Sequence, residues 1–155
     1  MQPFKAKDIM STRVITIRED ASVKELADLF LKEAVSGAPV VDAQGSLVGM
    51  ATEGDLIIKD ARIHYPTYIH LLDGFIYLPG SISRFRKEFQ KALGALVRDV
   101  MTSEVVTARE DTNIEDVATL MVDKNISRIP IMGEGRNIVG IVTKHDIVRS
   151  ISKTT

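Results

Sequence analysis

A chain of 155 residues, 45% apolar and 26% charged, is long enough to enclose a real core and has the make-up of a folded domain rather than a disordered segment. A formal net charge of −1 offers no excess of positive charge for nucleic acid or anionic lipid, and the lack of cysteine excludes thiolate catalysis, disulfides and thiolate zinc sites. No apolar run nears the ~20 residues that span a bilayer (69–78 is broken by Asp73 and Gly74), and residues 1–10 have no signal-like apolar stretch, so a cytoplasmic protein is expected.

In chain order, Asp8-Ile9-Met10-Ser11 precedes a short β-branched strand, residues 14–17, closed by the charged turn Arg18-Glu19-Asp20. Ser22 with Glu25 three residues later is a capping box, and Val23, Leu26, Ala27 and Phe30 give the helix it opens one apolar face. Residues 39–41 and 47–51 read as strands joined by a polar turn carrying Gly45, and a second helix starts after Thr52. That helix is expected to continue to about His64. Pro66, Pro79 and Gly80 then break the chain ahead of an amphipathic stretch, 82–96, with Phe85, Phe89, Leu93 and Leu96.

From Asp99 the first pattern returns. Asn113 and Asp116 take the capping positions ahead of Ile114, Val117, Ala118 and Met121; strands are expected at 130–132 and 138–142 around Gly133 and Gly135, with a final helix after Thr143. Shifted by about 91 residues, 8–58 lies over 99–149 without a gap, with roughly fifteen identities in about fifty pairs where chance gives about three. Each copy is a strand, helix, strand, strand, helix unit too small to cover its own sheet. The expected fold is therefore α/β in content (α+β in arrangement): two pseudo-symmetric βαββα repeats packed through their sheets, with a helical insertion between them. The divisions are residues 1–62, 63–97 and 98–155. The insertion is read mainly as packing over the module's own edge; a lid or partner surface is the alternative.

Three motifs recur in order. Asp-h-Met-(Ser/Thr) stands at 8–11 and 99–102; Ser-x-x-Pro at 36–39 and 127–130; and Gly-h-x-Thr-x-x-Asp at 49–55 and 140–146. The whole resembles a tandem pair of cystathionine-β-synthase (CBS) domains, covering all but the insertion and the termini. The resemblance implies a non-catalytic regulatory module that binds AMP, ADP or ATP, or alternatively S-adenosylmethionine, in clefts between the repeats and relays occupancy to a partner protein. It also implies a homodimer, in keeping with the commonest oligomeric symmetry.

In Thr-x-x-Asp, the hydroxyl and carboxylate can form a plain capping box, or can offer a carboxylate to the two hydroxyls of a ribose and a free hydroxyl and N–H groups to phosphate; the two readings can coexist. The family pattern gives Asp to ribose and Thr to phosphate. By the same resemblance one cleft joins Thr143, Lys144, His145, Asp146 and Arg128 to Ile15, Ser36 and Gly37, and the other joins Thr52 and Asp55 to Val106, Ser127 and Arg128. Arg128, standing where the first copy has Gly37, is the candidate phosphate clamp, because a guanidinium forks onto two oxygens. Val14, Ile15, Val35, Pro39 and Met50, with Val105, Val106, Ile126, Pro130 and Ile141, are candidates for an apolar adenine slot, each equally at home in a core. His64 and His70 lack a one-face helical spacing and are not read as metal ligands. No nucleophile is paired with a base, so no enzyme is expected. Two other classes stay open: a ligand-free dimerisation scaffold, and a nucleic-acid binder using Arg84, Arg86, Lys87 and Lys91, a run interrupted by Glu88.

Overall fold

The computed structural model describes residues 4–59, 68–71 and 74–153. Its centre is a pair of three-stranded sheets built alike. In the first, β1 (Ile17–Arg18) runs parallel to β2 (Gly37–Val41), which pairs antiparallel with β3 (Leu47–Thr52). Helix α2 (Val23–Glu33) connects β1 to β2, and α3 (Glu53–Lys59) follows β3. The second sheet repeats this with β6 (Ala108–Arg109), α6 (Ile114–Asp123), β7 (Arg128–Met132), β8 (Ile138–Thr143) and α7 (Lys144–Ser152). The register matches as well, including an irregularity between Val40 and Val41 and another between Ile131 and Met132. The duplicated α/β architecture is therefore present as the sequence implied.

The first strand is shorter than the β-branched run suggested. Only Ile17 and Arg18 pair with β2, opposite Val40 and Val41, while residues 14–16 leave the sheet. The next residue on β2 is Pro39, which has no N–H to continue a ladder, and Pro130 holds the same place beside β6. The turn glycine is placed as expected: Gly45 has φ +81°, a conformation that costs any residue with a Cβ.

Helix α2 forms for the reasons visible in its sequence. Ser22 Oγ accepts from the Glu25 N–H at 3.1 Å and the Glu25 carboxylate accepts from the Ser22 N–H at 2.7 Å, while Val23, Leu26 and Phe30 are buried. The hydrogen bond from the Ser22 backbone, then that from its side chain, lowers the Glu25 carboxyl below its ordinary value. A carboxyl depressed in the folded state stabilises above its unfolded pKa, so this part of the cap is lost as pH falls through the carboxylate range. Ser22→Ala is expected to cost about 1 kcal/mol in urea denaturation at neutral pH. The second copy differs: Asn113 stands at the N-cap of α6, but its side chain makes no capping hydrogen bond.

The opening leg of each repeat crosses over. Helix α1 (Ala6–Ile9) docks on the second sheet, with Ala6 N–H donating to Thr112 O at 2.8 Å and Ser11 exchanging backbone bonds with Ile141 at 2.9 and 3.0 Å. Helix α5 (Val97–Val100) docks on the first, with Val97 N–H donating to Ala21 O at 2.8 Å and Thr102 exchanging bonds with Met50 at 2.8 and 2.9 Å. Ala6 consequently lies in one core with Val117, Met121, Ile129, Ile131 and Val142, and Val97 in the other with Leu26, Phe30, Ala38, Val40 and Ala51.

Among the described residues of the insertion, a strand pair and a helix are seen. The pairing of β4 (Tyr68–Leu71) with β5 (Gly74–Tyr77) was not foreseen. Helix α4 (Ser81–Leu93) occupies most of the expected amphipathic stretch and touches α2, while Leu96 caps α5 instead of extending it. The expected continuation of α3 to His64 lies outside the described residues.

Candidate functional site

Each strand-to-helix junction is held by the Thr-x-x-Asp box. At the second, Asp146 Oδ2 accepts from the Thr143 N–H at 2.8 Å and the Thr143 hydroxyl at 2.7 Å, and Thr143 Oγ1 accepts from the Asp146 N–H at 3.2 Å. At the first, Asp55 Oδ2 accepts from the Thr52 N–H at 2.9 Å and its hydroxyl at 3.2 Å. The sequence reading left the threonine hydroxyl free for a phosphate; its proton is instead given to the aspartate in both copies. Among the described residues no hydrogen bond reaches Oδ1 of either aspartate, and that of Asp146 is paired with the Arg149 guanidinium at 3.7 Å.

Two clefts open beside these boxes. One, of about 610 Å³, is lined by Ile15, Ser36, Gly37, Arg128, Thr143, Lys144, His145 and Asp146, together with Ser11, Arg13, Val35, Ile141 and Arg149. The other, of about 440 Å³, is lined by Thr52, Asp55, Val106, Ser127 and Arg128, together with Met50, Glu53, Glu104, Val105, Asn125 and Ile126. The motif residues assigned to the two clefts line them, each cleft drawing on both repeats, and both volumes fall in the range of small-molecule sites. Asp146 is only 9% exposed, yet it is reached from the larger cleft.

The apolar candidates divide. Ile15, Val35 and Ile141 wall the larger cleft, and Met50, Val105, Val106 and Ile126 the smaller. Pro39 and Pro130 are instead fully buried within their strands, and Val14 lines a separate groove with Thr12 and Thr16. An edge-strand residue's direction follows from where the ladder stops, which the β-branched run alone does not reveal.

Arg128 borders both clefts. It starts β7, and its guanidinium crosses to the other repeat, where Nη2 donates to Ser36 Oγ at 2.6 Å. Beneath it lies Gly37: a Cβ there would coincide with Nη1 of Arg128 and fall 2.7 Å from Cζ. The two residues hold equivalent positions in the duplication, so the glycine makes room for its counterpart's side chain at the pseudo-two-fold axis. Burial pushes the guanidinium pKa down, with the Glu53 carboxylate pulling it back up.

Three residues that the sequence reading did not single out join the rims, Arg13 and Arg149 in the larger cleft and Glu104 in the smaller, where Glu53 stands as the counterpart of Lys144. Arg13 and Glu104 are themselves an aligned pair of the duplication, which was the signal available.

Comparison with known proteins agrees with the duplicated fold. The model of the CBS domain family matches residues 6–61 and 97–153. An uncharacterized protein of Methanocaldococcus jannaschii is 35% identical over 151 residues, spanning 94% of this chain and 89% of its own. Among solved structures, the CBS domain pair of protein MJ0100, in complex with 5'-methylthioadenosine and S-adenosyl-L-methionine, superposes with a TM-score of 0.73 at 29% identity, covering 99% of this chain and all of that one. CBSX2 from Arabidopsis thaliana in complex with AMP gives a TM-score of 0.72 at 25% identity, covering 97% of each chain.

Proposed function

The chain belongs to the CBS domain family, and from that membership we propose that it is a regulatory module that senses adenosyl ligands in its two clefts and passes their occupancy to a partner protein. The observation that carries the reading is the pairing, in each cleft, of an apolar wall with an aspartate at the head of a helix whose Oδ2 is fixed by the cap and whose carboxylate lines the cleft, as a sugar diol would need. Solved relatives that hold AMP, S-adenosylmethionine and methylthioadenosine support the ligand class.

In the larger cleft, Asp146 takes the ribose, Ile15 and Val35 face the base, and Arg128 and Lys144 take the phosphates, with His145, Ser36 and Gly37 at the rim. In the smaller, Thr52, Asp55, Val106 and Ser127 hold the equivalent places. This assignment makes the Asp146 cleft the nucleotide site. Calorimetric titration of ATP is expected to show at least a tenfold loss of affinity for Asp146→Ala and little change for Asp55→Ala; the reverse order would overturn the assignment. At 100 times its Kd a ligand adds about 2.7 kcal/mol to the folded state, so the wild-type melting temperature should rise with ATP.

One observation favours a second reading, a dimerisation scaffold. Leu31 on α2 and Val122 on α6, equivalent in the duplication, are 82% and 75% exposed, and Val148 and Ile151 on α7 are also open. The two readings share a homodimer; a melting temperature indifferent to every adenosyl compound would leave only the scaffold.

A further inference from the structure

The two clefts come from one duplicated frame, yet matched rim positions carry opposite charge. Arg13 of the larger cleft corresponds to Glu104 of the smaller, and Lys144 to Glu53. Arg149, which borders the larger cleft, corresponds to Ile58. Among the described residues, the larger cleft therefore sets Arg13, Arg128, Lys144 and Arg149 against the single carboxylate of Asp146. The smaller, among the same residues, sets Glu53, Asp55 and Glu104 against Arg128 alone. Part of the positive charge is already engaged, since Arg13 pairs with Glu33 at 3.1 Å and Arg149 lies 3.7 Å from Asp146, but both arginines remain more than half exposed and able to turn to a ligand.

Resting on the reading that both clefts hold adenosyl compounds, we propose that the pair is sorted by charge: the Asp146 cleft takes polyphosphate nucleotides, and the Asp55 cleft takes a phosphate-free adenosyl sulfonium. A triphosphate brought to Glu53, Asp55 and Glu104 meets three like charges with one guanidinium in compensation, and like-charge juxtaposition is what excludes a wrong partner. An adenosyl sulfonium amino acid meets the converse arrangement. Asp55 serves the ribose, and Glu53 and Glu104 face the sulfonium and ammonium, while Arg128 stays with the phosphates of the other cleft. The apolar wall of Met50, Val105, Val106 and Ile126 suits the base in either case.

Calorimetry with ATP, S-adenosylmethionine and its uncharged thioether S-adenosylhomocysteine tests this on the full chain. Wild-type protein saturated with ATP is expected to bind one further equivalent of S-adenosylmethionine, at least about fivefold more tightly than the thioether. The double charge reversal Glu53→Lys with Glu104→Arg should weaken S-adenosylmethionine at least tenfold and admit a second ATP, while the first ATP still binds and so reports that the variant folds. The sorting is overturned if ATP displaces S-adenosylmethionine competitively, if the thioether binds as well as the sulfonium, or if the charge reversal changes neither affinity. Those outcomes leave the adenosyl-sensor reading standing; protein that binds none of the three compounds removes both.

Discussion

Gly140→Val is expected to lower the melting temperature by roughly 6–12 °C, the equivalent of about 3 kcal/mol in a domain of this size. Gly140 lies in β8 directly under the crossing N-terminal leg. A Cβ built there would coincide with Sδ of Met10 and stand 2.8 Å from its Cγ and 3.1 Å from its Cβ. The sulfur could swing away, but the Met10 Cβ cannot, because the adjacent Ser11 is bonded in both directions to Ile141. The whole leg would have to lift, taking buried Ala6 with it. Gly49 faces the same situation under Met101, where a Cβ would lie 2.5 Å from Sδ and 3.0 Å from the Thr102 carbonyl oxygen. Thermal denaturation of Gly140→Val with and without Met10→Ala separates the causes. Steric displacement predicts that the second substitution restores part of the loss, a coupling between neighbours that independent effects would not show. Additive losses would show that the glycine is needed for some other reason.

Arg128→Ala should reduce ATP affinity by about 10- to 100-fold, the range for charge-assisted hydrogen bonds to phosphate made by a half-buried group. Arg128→Lys should recover only a fraction, because an ammonium cannot fork onto two oxygens. Gly37→Ala gives an independent approach that removes no charge: its methyl takes the place of the guanidinium and should reproduce part of the binding loss with both charges and the cap intact. If Arg128→Lys binds ATP as wild type does, the guanidinium acts only as a point charge and the clamp is wrong. Because one guanidinium borders both clefts, a ligand that draws it to one side changes what the other side offers, and such coupling is reciprocal.

What was legible beforehand depends on near neighbours in the chain. The capping boxes at Ser22 and Thr143 require only the right residues three apart, and the core faces of α2 and α6 follow from a 3.6-residue period. The alignment of the copies added the duplicated architecture, because similar sequences close the same sheet twice; the pairing of the cleft motifs was implied only by the resemblance to CBS domain pairs. The pairing of β4 with β5 was missed, their apolar run having been read as linker, and β1 was overestimated because β-branched residues do not reveal where a proline ends the ladder.

From its sequence alone, then, this protein is a duplicated α/β module with an acid at the head of each second helix, since repeats, caps and periodicity are local or self-referential properties. Only the tertiary structure decided that each opening leg belongs to the other copy's sheet, which is what carries Arg13 to the Asp146 cleft and Glu104 to the Asp55 cleft. Only it placed Arg128 on the axis above Gly37. The reason is that pairing between segments as far apart as Ser11 and Ile141, or Thr102 and Met50, depends on which strand edge is free to receive them, and no local pattern encodes that choice.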